Sequence, residues 1–251
     1  MKIQFDFAGK RVLVTDSTCG IGRSAAEAFH ALGATVAIGG QDSVSVERTI
    51  DEIGGGGRLV GAPGDLSDSR GRHAMADAAL GALGGLDVLV NSAGRGDDCL
   101  IDDVSEDFWQ DMLALNLKSA FFVAQACVPA LRQSKGCIIN VASALGLVGG
   151  PPGTAVYATV KGALVQMTRM MSLALARDGV RVNALCPGWI ETPRIQGNNE
   201  ARYAQMVQTT PLARLGSPQE CASAILYLAA PFSGFTTGAI LRVDGGLASG
   251  H

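Results

Sequence analysis

Histidine is scarce: the chain of 251 residues carries three, His30, His73 and His251. None lies at ligand spacing from a cysteine, and Cys19, Cys99, Cys127, Cys137, Cys186 and Cys221 are widely separated with no CxxC pair. A structural zinc needs clustered Cys and His ligands, so no metal site is expected, and no thiol has a sequence neighbour to activate it. Reduced, mostly buried thiols are the expectation. Charge is thin as well, at 17% of residues, and 20 basic against 23 acidic side chains give a formal net charge of -3 without a Lys/Arg cluster. Neutralising a phosphate backbone requires such a cluster, so nucleic acid is not an expected partner. Long apolar runs are missing too. The opening MKIQFDFAGKRVLV has no extended apolar segment after its first basic residue, and no uninterrupted run approaches a membrane span. A cytoplasmic protein without membrane contact is expected. No long polar tract interrupts the 47% of hydrophobic residues, which excludes a disordered chain.

What is present is an alternation. RVLVT leads to a helix over about 20–32, ATVAIGG to a helical pattern over SVSVERTIDEI, and RLVGA to SDSRGRHAMADAALGAL. LDVLV then precedes a helix around 108–131, GCIINVAS a long helix over about 155–176, and VRVNALCP the helical PQECASAILYLAA before a final AILRVDGG. Repeated βα units predict an α/β fold, a parallel sheet covered by helices on both faces, in one domain over 1–251 with no linker. LDVLV and IINV are apolar almost throughout, as strands buried on both faces are. Gly54 to Gly57 read as a loose helix-to-strand connection. The segment 190–215 breaks the alternation and is rich in polar residues, which makes it a candidate lid.

The stretch VLVTDSTCGIGRS runs from strand through a glycine turn into a helix. Such a turn aims backbone N–H groups and the positive helix end at a pyrophosphate, giving Gly20 and Gly22 a mechanical reason to be glycine. A plain tight strand–helix turn gives the same pattern. Further along, Asn91-Ser92-Ala93-Gly94, Asn116, Ser143, Tyr157-Ala-Thr-Val-Lys161 and Pro187-Gly188-Trp189-Ile190-Glu191-Thr192 follow in order, with VDGG at 243–246. Together these resemble the short-chain dehydrogenase/reductase family, from Gly9 to Gly246, and within it the β-ketoacyl-carrier-protein reductase branch.

That resemblance implies a Rossmann sheet of seven parallel strands in order 3-2-1-4-5-6-7, with a nicotinamide dinucleotide, NAD or NADP, across the strands' carboxyl ends. It assigns the cofactor to Thr18, Gly20, Ile21 and Gly22 in the first turn, to Asp65 and Leu66 at the adenine edge, and to Asn91, Ala93 and Gly94 beneath it. Pro187, Gly188, Ile190 and Thr192 would hold the carboxamide side. The family turn is TGxxxGxG, and here Asp16 replaces its first glycine. Asp16 either weakens binding by crowding or charge, accepts the adenosine ribose hydroxyls, or turns outward. At the end of the second strand, where relatives carry an acid for NAD or an adjacent arginine for NADP, Gly40 and Gln41 stand instead. Asp16, with Asp42 nearby, would repel a 2′-phosphate, which leans to NAD; Arg23 at the helix start is the counterweight.

A phenol titrates near pH ~10, so a tyrosine working near neutrality needs a nearby cation. Lys161 follows Tyr157 by four residues, which on a helix puts both on one face. The resemblance implies that Tyr157 exchanges a proton with the substrate oxygen while Lys161 holds the nicotinamide ribose and lowers the phenol's pKa. Ser143 would orient the same oxygen, and Asn116 would anchor a proton-relaying water. Leu145, Pro151 and Trp189 are candidates for an apolar substrate wall, though each reads equally as packing. The implied activity interconverts a secondary alcohol and a ketone in a small-molecule substrate. A non-catalytic dinucleotide-binding or regulatory protein is the alternative, set against by the retained Ser143, Tyr157 and Lys161. Relatives usually form tetramers through the helices at 105–131 and 155–177 and the carboxyl-terminal segment, so a homotetramer is expected.

Overall fold

Seven strands form one parallel sheet: β1 (Arg11–Val14), β2 (Thr35–Gly40), β3 (Leu59–Pro63), β4 (Val88–Asn91), β5 (Cys137–Val141), β6 (Arg181–Pro187) and β7 (Ile240–Val243). Their order is β3-β2-β1-β4-β5-β6-β7, a doubly wound Rossmann sheet. The computed structural model describes residues 4–54, 56–196 and 200–249. Register is set by apolar residues that alternate between two buried faces. Val12 pairs with Val36 and Val88, and Leu13 with Ala37 and Leu89.

Val12, Val14, Ile38, Val90 and Ile139 face α1 (Gly20–Ala31), α2 (Ser43–Ile53) and α9 (Pro218–Ala229). On the opposite face Leu13, Leu89 and Ile138 meet α3 (Ser69–Leu83), α5 (Ser119–Ser134) and the end of α6 (Ala155–Leu175). The helices start where short polar side chains satisfy their first N–H groups: Asp42 accepts from Ser45 N, Asp68 from Gly71 N, and Ser217 forms a reciprocal capping box with Glu220.

Two stretches depart from the sequence expectation. The helix expected around 108–131 is longer: α4 (Glu106–Leu113) runs into α5 through a π-helical turn, Ala114–Lys118. The continuous helix Glu106–Ser134 spans 29 residues and is apolar enough by length and composition to cross a membrane. Polar Gln110, Asp111, Asn116 and Lys118 interrupt the apolar run without ending the helix, which is why the sequence shows no such span. Here Val123, Cys127 and Leu131 of that helix are fully buried in the core cluster that includes the sheet. Within the polar stretch 190–215, the described residues form α7 (Pro193–Gln196) and α8 (Glu200–Thr209). Residues 197–199 of the expected lid lie outside the described residues.

The sheet reverses its winding between β1 and β4, and the loops leaving their carboxyl ends part there to leave a crevice. The site residues discussed below stand on strand ends, loops and helices around it.

Candidate functional site

A cavity of about 500 Å³ opens along the carboxyl ends of the strands. Its floor at one end is the turn after β1, with Asp16, Gly20, Ile21 and Gly22. Asp16 has a φ of 50°, the left-handed region that favours glycine, and it is among the residues that line the cavity. A Cβ on Gly22 would stand 2.3 Å from the Asp16 carbonyl oxygen, so the turn and the start of α1 close on each other only with glycine there. Cys19 begins α1 without a side-chain cap. α2, α3, α4 and α9 have one, while α5 and α6, like α1, have none. The uncapped positive end of α1 at the cavity suits a pyrophosphate.

Across the cavity, α6 carries Tyr157 and Lys161. Lys161 is 3% exposed, and its Nζ donates to Val141 O at the end of β5 at 3.0 Å. The same Nζ lies 5.8 Å from the centre of the Tyr157 ring. Burial lowers the Lys161 ammonium to about 8, against a smaller opposing pull from Cys186 and Asp16. Asn116 is fully buried within the π turn, where Nδ2 donates to Met112 O at 3.0 Å and Oδ1 accepts from Arg95 N at 3.1 Å. π turns recur at functional positions because they push one side chain out of helical register. A Cβ on Gly94 would meet Asn116 Oδ1 at 2.7 Å and Lys161 Nζ at 2.9 Å. Glycine at 94 therefore lets the loop after β4 lie directly on both. Ser143, 8% exposed, opens the turn after β5, and its Oγ accepts from Leu145 N at 3.2 Å.

Ser143, Tyr157, Lys161 and Leu145 thus border one cavity together with Pro187, Gly188, Trp189, Ile190 and Thr192. The Thr192 methyl lies 3.3 Å from where a Gly20 Cβ would be, joining the two halves. Asn91 and Ala93 are buried beneath: Ala93 N and Ser92 N both donate to Thr15 Oγ1, at 3.1 and 3.0 Å. Thr18, Gly40, Gln41, Asp65 and Leu66 sit at the β2 and β3 ends, outside the cavity lining. A side chain at Gly40 would collide with Val46 Cγ2 at 2.7 Å and Thr18 Cγ2 at 2.8 Å, so this position is closed. Asp65 accepts from Ser67 N at 2.9 Å, while the cap of α3 is Asp68. Arg23 is held by Glu27 at 2.8 Å and Glu52 at 2.6 Å. Pro151 is exposed and does not border the cavity, so it makes no wall here.

The sequence missed the outer rim. Asp97, Asp98, Arg202 and Met206 also line the cavity, and Arg202 of α8 pairs with Asp98 across it at 2.5 Å. No local signal marks a pair 104 residues apart in sequence. Among the described residues no group of His, Cys, Asp and Glu could hold a metal. Burial pushes the thiols of Cys127 and Cys221 up to about 12 and those of Cys137 and Cys186 up to about 11, which leaves them protonated.

A family model described as enoyl-(acyl carrier protein) reductase matches residues 16–248. The chain belongs to the short-chain dehydrogenase/reductase family. Within it, the likeness is to the branch of 3-oxoacyl-[acyl-carrier-protein] reductase FabG: the Thermotoga maritima protein of that name is 34% identical over 241 residues, 95% of this chain and 98% of that one. D-beta-hydroxybutyrate dehydrogenase of Cupriavidus necator is also 34% identical, over 95% of this chain and 97% of its own. The crystal structure of a putative gluconate dehydrogenase from Agrobacterium tumefaciens superposes with a TM-score of 0.90 at 30% identity, covering 99% of each chain. This short-chain dehydrogenase/reductase is an oxidoreductase, and the family works with NAD or NADP. The glycine cradle at Gly22, the uncapped α1 and the buried ammonium beside Gly94 fit such a dinucleotide.

Holding Lys161 in the interior has a cost that the pH dependence of stability exposes. Its folded pKa is depressed, so between about 8 and its ordinary value near 10.5 the unfolded chain binds more protons and stability rises with pH. Below about 8 the full cost, roughly 3 kcal/mol, is present. Lys161→Met is expected to raise the unfolding free energy by about 1–3 kcal/mol at pH 7, with the gain shrinking towards pH ~10. Denaturant titrations at both pH values check this; a Met variant less stable than the parent at pH 7 contradicts it.

Proposed function

We propose that this enzyme interconverts a secondary alcohol and a ketone, with Tyr157 as general acid/base and NAD as the preferred cofactor. The observation that carries the reading is one cavity bordered by Ser143, Tyr157 and Lys161, with Asn116 against Lys161 behind Gly94. When bound, the nicotinamide supplies the hydride acceptor or donor. Tyr157 gives or takes the proton at the substrate oxygen, and Ser143 Oγ donates a hydrogen bond to the same atom, fixing the carbonyl's orientation. Lys161 places a positive charge beside the phenol and so favours its anion during oxidation. Asn116, fixed by Met112 O and Arg95 N, holds the inner end of a proton path to the ammonium.

Three observations favour NAD. Asp16 is among the residues lining the cleft, Arg23 is engaged by Glu27 and Glu52, and uncharged Gln41 stands where relatives carry the arginine. A 2′-phosphate would meet negative charge without a partner. The rim favours a free small molecule over an acidic carrier protein. Asp97 and Asp98 line the cavity, exposed Asp102, Asp103, Glu106 and Asp107 follow closely in the chain, and like charges across an interface oppose docking. Segments α5 and α6 also expose Phe121, Phe122, Met170 and Leu173, which supports a homotetramer assembled through these helices; light scattering reads four copies if so, and fewer rejects it.

A screen of alcohols and ketones with both cofactors, run on the parent, Tyr157→Phe and Asp16→Gly, tests the reading. Tyr157→Phe is expected to lose about 10²–10⁴-fold in kcat while still binding NADH by fluorescence titration. Asp16→Gly is expected to improve NADP use more than NAD use. Full turnover without the phenol removes Tyr157 from the mechanism, and equal effects on both cofactors remove Asp16 from their discrimination.

A further inference from the structure

Beneath the cavity a chain of buried polar side chains crosses from β4 through β5 to α6. Asn91 and Asn140 face each other in register on adjacent strands, and Asn91 Nδ2 donates to Asn140 Oδ1 at 2.9 Å. Asn140 Nδ2 donates to Thr168 Oγ1 at 2.9 Å, and Thr168 Oγ1 donates to Leu164 O at 2.9 Å. Asn91 Nδ2 also reaches Ala120 O of α5 at 3.2 Å. Asn140 and Thr168 are fully buried and Asn91 is 3% exposed.

The orientation of every group in the chain is forced. The one hydrogen of Thr168 goes to Leu164 O, so its oxygen can only accept from Asn140. Asn140 must then turn its carbonyl to β4, and Asn91 must answer with its amide, whose second hydrogen serves Ala120 O. Asn91 Oδ1 is left without a partner among the described residues. A buried acceptor without a donor costs stability, and an apolar pair at 91 and 140 would avoid that cost. The polar chain has a different yield: it is directional where apolar packing is not.

Its two ends grip the helices that bear the chemistry. Ala120 lies one turn beyond Asn116 on the same helix face, and Thr168 lies two turns beyond Lys161 on the same face of α6. Asn140 itself adjoins Val141, whose carbonyl takes the Lys161 ammonium. We propose that Asn140 and Thr168, with Asn91, are positioning residues: they set the height of α5 and α6 against the sheet, and so place Asn116, Tyr157 and Lys161 relative to one another. The assignment rests on the reading that these three carry the reaction, and it concerns what holds them in place.

The test replaces the hydroxyl without changing shape. Thr168→Val leaves Asn140 Nδ2 without an acceptor, whereas Thr168→Ser keeps one. With the best substrate from the screen, the Val variant is expected to lose about 10-fold or more in kcat, with KM within about threefold, because small displacements of reacting groups are costly. The Ser variant is expected to recover most of that loss. Crystal structures are expected to show Lys161 Nζ moved from Val141 O in the Val variant and restored in the Ser variant. A Val variant with a lower melting temperature but unchanged kcat overturns the proposal, as does a Ser variant that falls equally far. If the parent turns over no alcohol or ketone, the function reading fails by itself. The crystal structures then decide this assignment: Lys161 unmoved in the Val variant sinks it.

Discussion

An ammonium group kept out of water is the constraint around which this site is organised. Water solvates a cation far better than a protein interior does, so the fold must supply substitutes for what Lys161 loses. It offers the Val141 carbonyl at the end of β5 and the face of Tyr157 one helical turn away. Each substitute comes from a different element. β5 must end where it does, the π turn must rotate Asn116 inward, and the loop after β4 must carry a glycine at 94 to pass between them. The sheet order makes this possible by separating the β1 and β4 loops at one edge.

At the other end of the crevice the constraint is reversed, since the turn after β1 is shaped for an anion yet holds a carboxylate. Asp16 accepts a left-handed backbone that glycine would adopt without strain. The strain and the charge are what the proposed discrimination among dinucleotides rests on. Arg23 is engaged by Glu27 and Glu52 and Gln41 is uncharged, so the NAD preference proposed above rests on what the cleft withholds from a phosphate.

The fold was readable because strands buried on both faces appear as short apolar runs, and the runs here alternate with amphipathic helices. Ser143, Tyr157 and Lys161 were readable as a group since motifs in fixed order carried them. Other features depend on packing that no local pattern reports. The helix expected around 108–131 is present, but no local pattern reports that residues 114–118 form a π turn within it. Pro151 looked like a wall residue from its place between Ser143 and Tyr157, yet its loop turns it to solvent. Asp98 and Arg202 meet only because α8 folds across the cavity mouth. Asn140 and Thr168 read as an ordinary strand and helix residue, and no local pattern reports the hydrogen bond between them.

The most direct measurement is the titration of Lys161 itself, by heteronuclear NMR of selectively labelled lysine side chains, with the Lys161→Met spectrum assigning the signal. Burial places its midpoint at about 8. A midpoint near 10.5, the value of a lysine in water, would mean that the ammonium is solvated and that the arrangement built around it does not exist.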